Sequence, residues 1–130
     1  MDKHYLITAN LEKKCILLNI CDQIDAQIVR DIREEIVPLL VLFDEPVSLL
    51  IDLRESSGSQ LDAIDELRVL WSHYEKTTIG QIIRVFKDDF DDQGTRITDM
   101  FHMKGIRKIN VTRMQEAIRY CEAFSASTAD

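Results

Sequence analysis

The densest run of potential ligands in the chain is 88-DDFDDQG-94. Asp89, Asp91, Gln93 and Gly94 alternate oxygen donors around a glycine turn, as the first half of a calcium loop does. The twelfth position of such a loop must supply a bidentate Glu, and here it is Met100. The run therefore reads as a solvated loop whose carboxylates favour the N-terminus of the helix that follows. A second candidate is Asp52, at the end of the apolar run 48-SLLID-52, where a phosphoacceptor aspartate would sit. Phosphoryl transfer there needs an acidic pair after the first strand and a lysine after the last. Neither 7-ITAN-10 nor 19-NICDQID-25 supplies that pair in place, and KINVT ends in no matching lysine. Asp52 reads as a turn-maker that accepts backbone N–H bonds.

Nucleophilic chemistry fares no better. Ser56 and Ser57 lack a GxSxG elbow, since position 55 is Glu. His4, His73 and His102 fall on different elements, and the four glycines are isolated, so no phosphate-cradling loop exists. Cys15, Cys21 and Cys121 are odd in number and show no metal-ligand spacing, so they read as reduced, packed thiols. The expectation is a non-enzymatic chain with no cofactor and no metal.

The whole composition fits that expectation. At 130 residues, 45% apolar and 30% charged, the chain is long enough for one domain, 1–130, with its own core. A net charge of −7 argues against nucleic acid, because the cluster Lys104, Arg107, Lys108 and Arg113 is too small to neutralise a phosphate backbone. No apolar run reaches the roughly 18 residues of a membrane span. The opening MDKHYLITANLEKK holds no apolar signal core, so a cytoplasmic location is expected.

The elements that would position these residues follow from periodicity. Residues 4–8, 15–20, 47–53, 81–86 and 108–111 read as strands, the first two as a hairpin. The run 47-VSLLIDL-53 is almost continuously apolar, as a central strand covered on both faces would be. Ile24, Ile28, Ile32 and Ile36 mark a helix capped by Asp22 or Asp25, with Pro38 expected to end or kink it after Val37. Ser59 and Asp62 open a second helix carrying Leu61, Ile64, Leu67, Trp71 and Tyr74 on one face. A shorter helix buries Ile97, Met100 and Phe101. Thr112 and Gln115 cap a last helix ending at Phe124, before a frayed tail over 125–130. The order β-β-α-β-α-β-α-β-α predicts an α/β domain: a mixed, mostly parallel sheet with four helices.

With that order, the turn in 49-LLIDLRESSG-58 and the aromatic helix end 67-LRVLWSHY-74, the chain resembles the STAS domain family, most closely its SpoIIAA-like branch. That branch is also grouped with SEC14-type lipid-binding folds. The resemblance implies a protein-interaction or regulatory module, an anti-sigma-factor antagonist being one such module. In antagonists a serine of a D-S-S-G turn is phosphorylated by a kinase-like partner that is also the anti-sigma factor. Ser56-Ser57-Gly58 matches S-S-G, with Glu55 in the Asp position and only Arg54 and Glu55 between Leu53 and Ser56. That connection is shorter than in antagonists and is the one seen in the SpoIIAA-like branch, which commonly lacks the phosphorylated serine. The implied phosphorylation candidates are Ser57 and Ser56. The implied partner surface runs through Arg54, Glu55, Ser56, Ser57, Gly58 and Ser59. Local architecture alone also accounts for this turn, with Ser59 as helix cap, and is the expected role. The alternative function is a carrier of a lipid or other apolar molecule, in a cavity lined by Leu67, Leu70, Trp71, Met100, Phe101 and Met103. A homodimer stays open.

Overall fold

The computed structural model describes residues 4–56, 79–87 and 106–127. Five strands form one sheet: β1 (Tyr5–Asn10), β2 (Cys15–Ile20), β3 (Val47–Asp52), β4 (Ile79–Val85) and β5 (Arg107–Val111). Helix α1 spans Ala26–Leu40 and helix α2 spans Met114–Ser127. The strands lie side by side in chain order, β1 antiparallel to β2 and every later pair parallel. The opening hairpin turns through Lys14, whose φ of 52° is left-handed. Asn10 fastens that turn by accepting the Lys13 N–H at 2.9 Å.

Strand alternation divides the core in two. Val47, Leu49 and Ile51 point with Ile16, Leu18, Ile20 and Ile82 towards α1, against Ile28, Val29, Ile32 and Ile36. Leu50 points the other way, with Ile83, Val85, Ile109 and Val111, towards Ala117 and Cys121 of α2. Every residue of β3 is buried, as its apolar run requires of a strand covered on both sides. Each fully buried aliphatic contributes about 1.5–3 kcal/mol relative to exposure. Two of the buried groups on the α2 face are polar and satisfied: the Gln81 amide donates to Ser48 Oγ at 2.8 Å and to the Tyr120 carbonyl at 3.2 Å. The first bond joins β4 to β3, and the second ties α2 to the sheet.

Register between β3 and β4 shifts once. Val47 pairs with Ile79 and Ser48 with Gln81, which leaves Gly80 as the extra residue of a bulge. The site takes glycine because a Cβ would fall on the Phe124 ring of α2 and lie 3.2 Å from Pro46 Cβ.

Several expectations need correction. Pro38 does not stop α1, which continues to Leu40. The proline is exposed and close to the helix end, so the backbone bond it cannot make is lost where water can replace it. The chain then closes with tighter bonds, Leu42 N–H to the Leu39 carbonyl and Phe43 N–H to the Leu40 carbonyl. Of the two caps expected for α1, Asp25 is the one that forms, accepting the Ile28 N–H at 2.8 Å. Thr112 is not the cap of α2: Arg113 holds that position, its carbonyl accepting the Ala117 N–H. The same helix runs to Ser127, three residues into the stretch expected to fray. Strand β4 starts at Ile79, inside the expected turn TTIG. Of the four expected helices, the second and third fall on residues outside those described.

Candidate functional site

Strand β3 ends at a buried carboxylate. Asp52 accepts the Arg54 N–H at 3.1 Å and Arg54 Nε at 2.9 Å on one oxygen. Its other oxygen accepts Arg54 Nη2 at 2.9 Å and Asn19 Nδ2 at 3.1 Å. Burial pushes the Asp52 carboxyl up, but the Arg54 bonds and charge outweigh it and hold the group below the usual carboxylate range. The same bonds raise the Arg54 guanidinium above its ordinary value. The Asp52 side chain is 6% exposed and that of Arg54 is 43%, so the clamp anchors a cation at the surface.

Beyond Asp52 the chain turns sharply. Leu53 donates its N–H to the Val85 carbonyl at 2.8 Å, and its own carbonyl accepts the Ser56 N–H at 3.1 Å. The Ser56 hydroxyl donates to the Asp22 carbonyl at 2.9 Å, tying the turn to the loop between β2 and α1. Asp22 in turn accepts the Gln23 N–H and contacts His4 Nδ1 at 2.7 Å. Those two bonds, the backbone one foremost, hold the Asp22 carboxyl below its ordinary value. Glu55 is exposed beside Cys21 and, after the slight burial of that thiol, is the main cause pushing it up. The Ser56 proton is committed to a carbonyl oxygen, the role of a turn anchor and not of an activated nucleophile. Arg54, Glu55 and Ser56 thus come together at the carboxyl ends of β2 and β3. Ser57, Gly58 and Ser59 lie outside the described residues, as do Asp89, Asp91, Gln93, Gly94 and Met100 of the acidic loop. Among the described residues no group of three or more His, Cys, Asp or Glu side chains is placed to hold a metal ion.

Another feature was not foreseen. A groove of about 760 Å³ opens between α2 and the β1–β2 half of the sheet. Cys15, Leu17 and Leu50 form its floor, and Met114, Ile118 and Cys121 its wall. Among the described residues α2 rests on β3, β4 and β5, and none of them covers this half of the face. Leu6 is 59% exposed and Ile118 43%. A signal was present in the sequence: Leu6 and Leu17 are apolar on the strand face opposite Tyr5, Ile16 and Leu18. Those alternations show that both faces are apolar, but not how far a single helix covers one of them. The expected lining residues Leu67, Leu70, Trp71, Met100, Phe101 and Met103 lie outside the described residues. Sequence reading also missed Arg84, fully buried on the α1 face. Its Nε donates to Asn110 Oδ1 at 2.8 Å and its guanidinium lies 5.7 Å from the Phe86 ring centroid.

No family model and no curated protein matches the chain. Solved structures do. An uncharacterised protein of the DUF3478 family with a SpoIIAA-like fold, from Shewanella loihica, superposes with a TM-score of 0.69 at 14% identity, covering 90% of this chain and 91% of that one. The anti-sigma factor antagonist SpoIIAA in its unphosphorylated form gives a TM-score of 0.56 at 13% identity, covering 89% and 96%. An anti-sigma factor antagonist from Mycobacterium paratuberculosis gives 0.55 at 14%, covering 90% and 92%. The chain therefore has a SpoIIAA-like fold of the STAS type.

Proposed function

We propose that the chain is a non-enzymatic, cytoplasmic regulatory module that binds another protein through the turn leaving β3. The observation that carries this reading is the Asp52–Arg54 clamp. It sets an exposed guanidinium beside the exposed Glu55 on a turn stiffened from both sides. Such a preformed pair of opposite charges favours a partner of complementary charge and costs little ordering on binding. The likeness in fold to anti-sigma factor antagonists supports a protein as partner, and a kinase-like anti-sigma factor is the partner the family resemblance favours. No helix among the described residues is long and apolar enough to cross a membrane.

Arg54→Glu reverses the exposed charge and turns the Asp52 clamp into a repulsion. With wild-type and variant chains as bait in extracts of the source organism, the variant should lose the protein that wild type retains. Identical partner sets would sink the docking role of this turn. Ser57 separates a phosphoswitch from architecture. We propose architecture: Ser57→Asp and Ser57→Ala bind the captured partner alike, while Ser59→Ala lowers stability by about 0.5–2 kcal/mol through a lost helix cap. A partner that keeps the Ala variant and releases the Asp variant, by about 1–3 kcal/mol, would make Ser57 a switch.

The groove favours a second reading, a carrier of an apolar small molecule. Its 760 Å³ falls within the range of ordinary ligand sites. Native mass spectrometry of the purified chain distinguishes the two, since a carrier retains a bound lipid-sized mass and the docking module flies empty.

A further inference from the structure

Cys15 starts β2 and Cys121 lies midway along α2. Their sulfurs are 3.5 Å apart, both are free thiols, and both face the groove. We propose that Cys15 and Cys121 are a reversible dithiol–disulfide pair, closed when a peroxide enters the groove, that clips α2 to β2.

A disulfide requires the sulfurs to approach to about 2.05 Å, some 1.5 Å closer than they stand. Among the described residues α2 rests on β3, β4 and β5, and its Cys121 lies beside Cys15 of β2. Access and protection are divided between the two thiols. Cys15 is half-buried at the groove floor, and Cys121 is buried behind it. The bond shared with Cys121 lowers the Cys15 thiol against the effect of burial, with Lys13 nearby adding to it. Its bond to Cys15, followed by burial, pushes Cys121 up. Cys15, the more exposed of the two, is the attacking thiol and Cys121 the resolving one.

The chemistry balances with hydrogen peroxide as the oxidant. The Cys15 thiolate attacks one peroxide oxygen, the O–O bond breaks, and the departing hydroxide leaves as water after taking a proton. Cys15 is then a sulfenic acid. Cys121 loses its proton and attacks that sulfur, the S–O bond breaks, and a second water departs. Two thiols have been oxidised and one peroxide reduced to two waters. A thiol reductant such as dithiothreitol reverses the bond by exchange.

Cys21 supplies the internal control. It follows the opposite end of β2, about 20 Å from Cys15 at about 3.3 Å per residue, and it is exposed. The reduced full chain is treated with stoichiometric hydrogen peroxide, and its free thiols, intact mass and non-reduced peptide map are read. The monomer should lose two of its three thiols and two hydrogen atoms of mass, with a single linkage between the Cys15 and Cys121 peptides. Dithiothreitol should restore all three, and Cys21→Ser should change neither the linkage nor its rate. Cys121→Ser should leave a Cys15 sulfenic acid that dimedone labels, and Cys15→Ser should leave none. If the variants fail to fold, the wild-type map alone decides. Three thiols that survive treatment, or loss confined to Cys21-linked dimers, would overturn the pair.

Discussion

Four donors converge on the Asp52 carboxylate, and their sign sets a pH dependence. The folded carboxyl titrates below its ordinary value of 3.8, so its contribution to stability is fully present above the unfolded value. It is lost as pH falls through the folded one. Asp52→Asn keeps the shape and removes the charge. At neutral pH the variant should lose about 1.5–3 kcal/mol of unfolding free energy, the range for bonds to a charged group. Its further loss below about pH 4 should be smaller than in wild type. Denaturant titrations at pH 7 and pH 3 check both; parallel acid limbs would show that other carboxylates govern the acid side. Part of this site was legible in the sequence. A turn-making role for Asp52 was expected, and the Arg54 N–H bond is that role. Its contact with Asn19 was not legible, because it arises only when β2 and β3 pair in the register that sets Asn19 opposite Asp52.

At the scale of elements, the bulge at Gly80 joins three segments: β3 through the register shift, the chain before it through Pro46, and α2 through Phe124. Gly80→Ala puts a methyl group into the space of the Phe124 ring. The expected cost is about 1–3 kcal/mol, typical of overpacking. Phe124→Leu should recover part of it, so the two substitutions couple in a double-mutant cycle measured by thermal or denaturant melting. Additive losses would mean that the ring moves aside freely. The elements themselves were mostly legible. Apolar alternation places all five strands within two residues at each end, and the isoleucine stripe gives α1 and its buried face. What local pattern misjudges is context. Pro38 disrupts a helix interior, but near an exposed end it leaves only one bond to water. The groove depends on how far α2 sits from β1 and β2, a distance that no window of sequence contains.

Across the whole molecule, burial is deepest along the middle of the sheet. Every residue of β3 is buried, and so is all of β4 but Gly80, whereas β1 after Tyr5 alternates exposed and half-buried positions and β5 buries only Ile109 and Val111. Amide hydrogen exchange should therefore be slowest in β3 and β4 and faster in β1 and β5. Protection as strong in β1 as in β3 would point to a partner or second copy along that edge. The strand order carries one more consequence. Because the strands sit in the sheet in the order in which they are made, no strand has to be inserted between two that are already paired. A nascent chain leaving the ribosome can close its hairpin, lay α1 and β3 against it, and add each later strand to the growing edge. The long-range contacts of the finished sheet are thus assembled from successive short closures, each small in loop entropy. Helix α2, made after the strands it covers, arrives when that surface is complete.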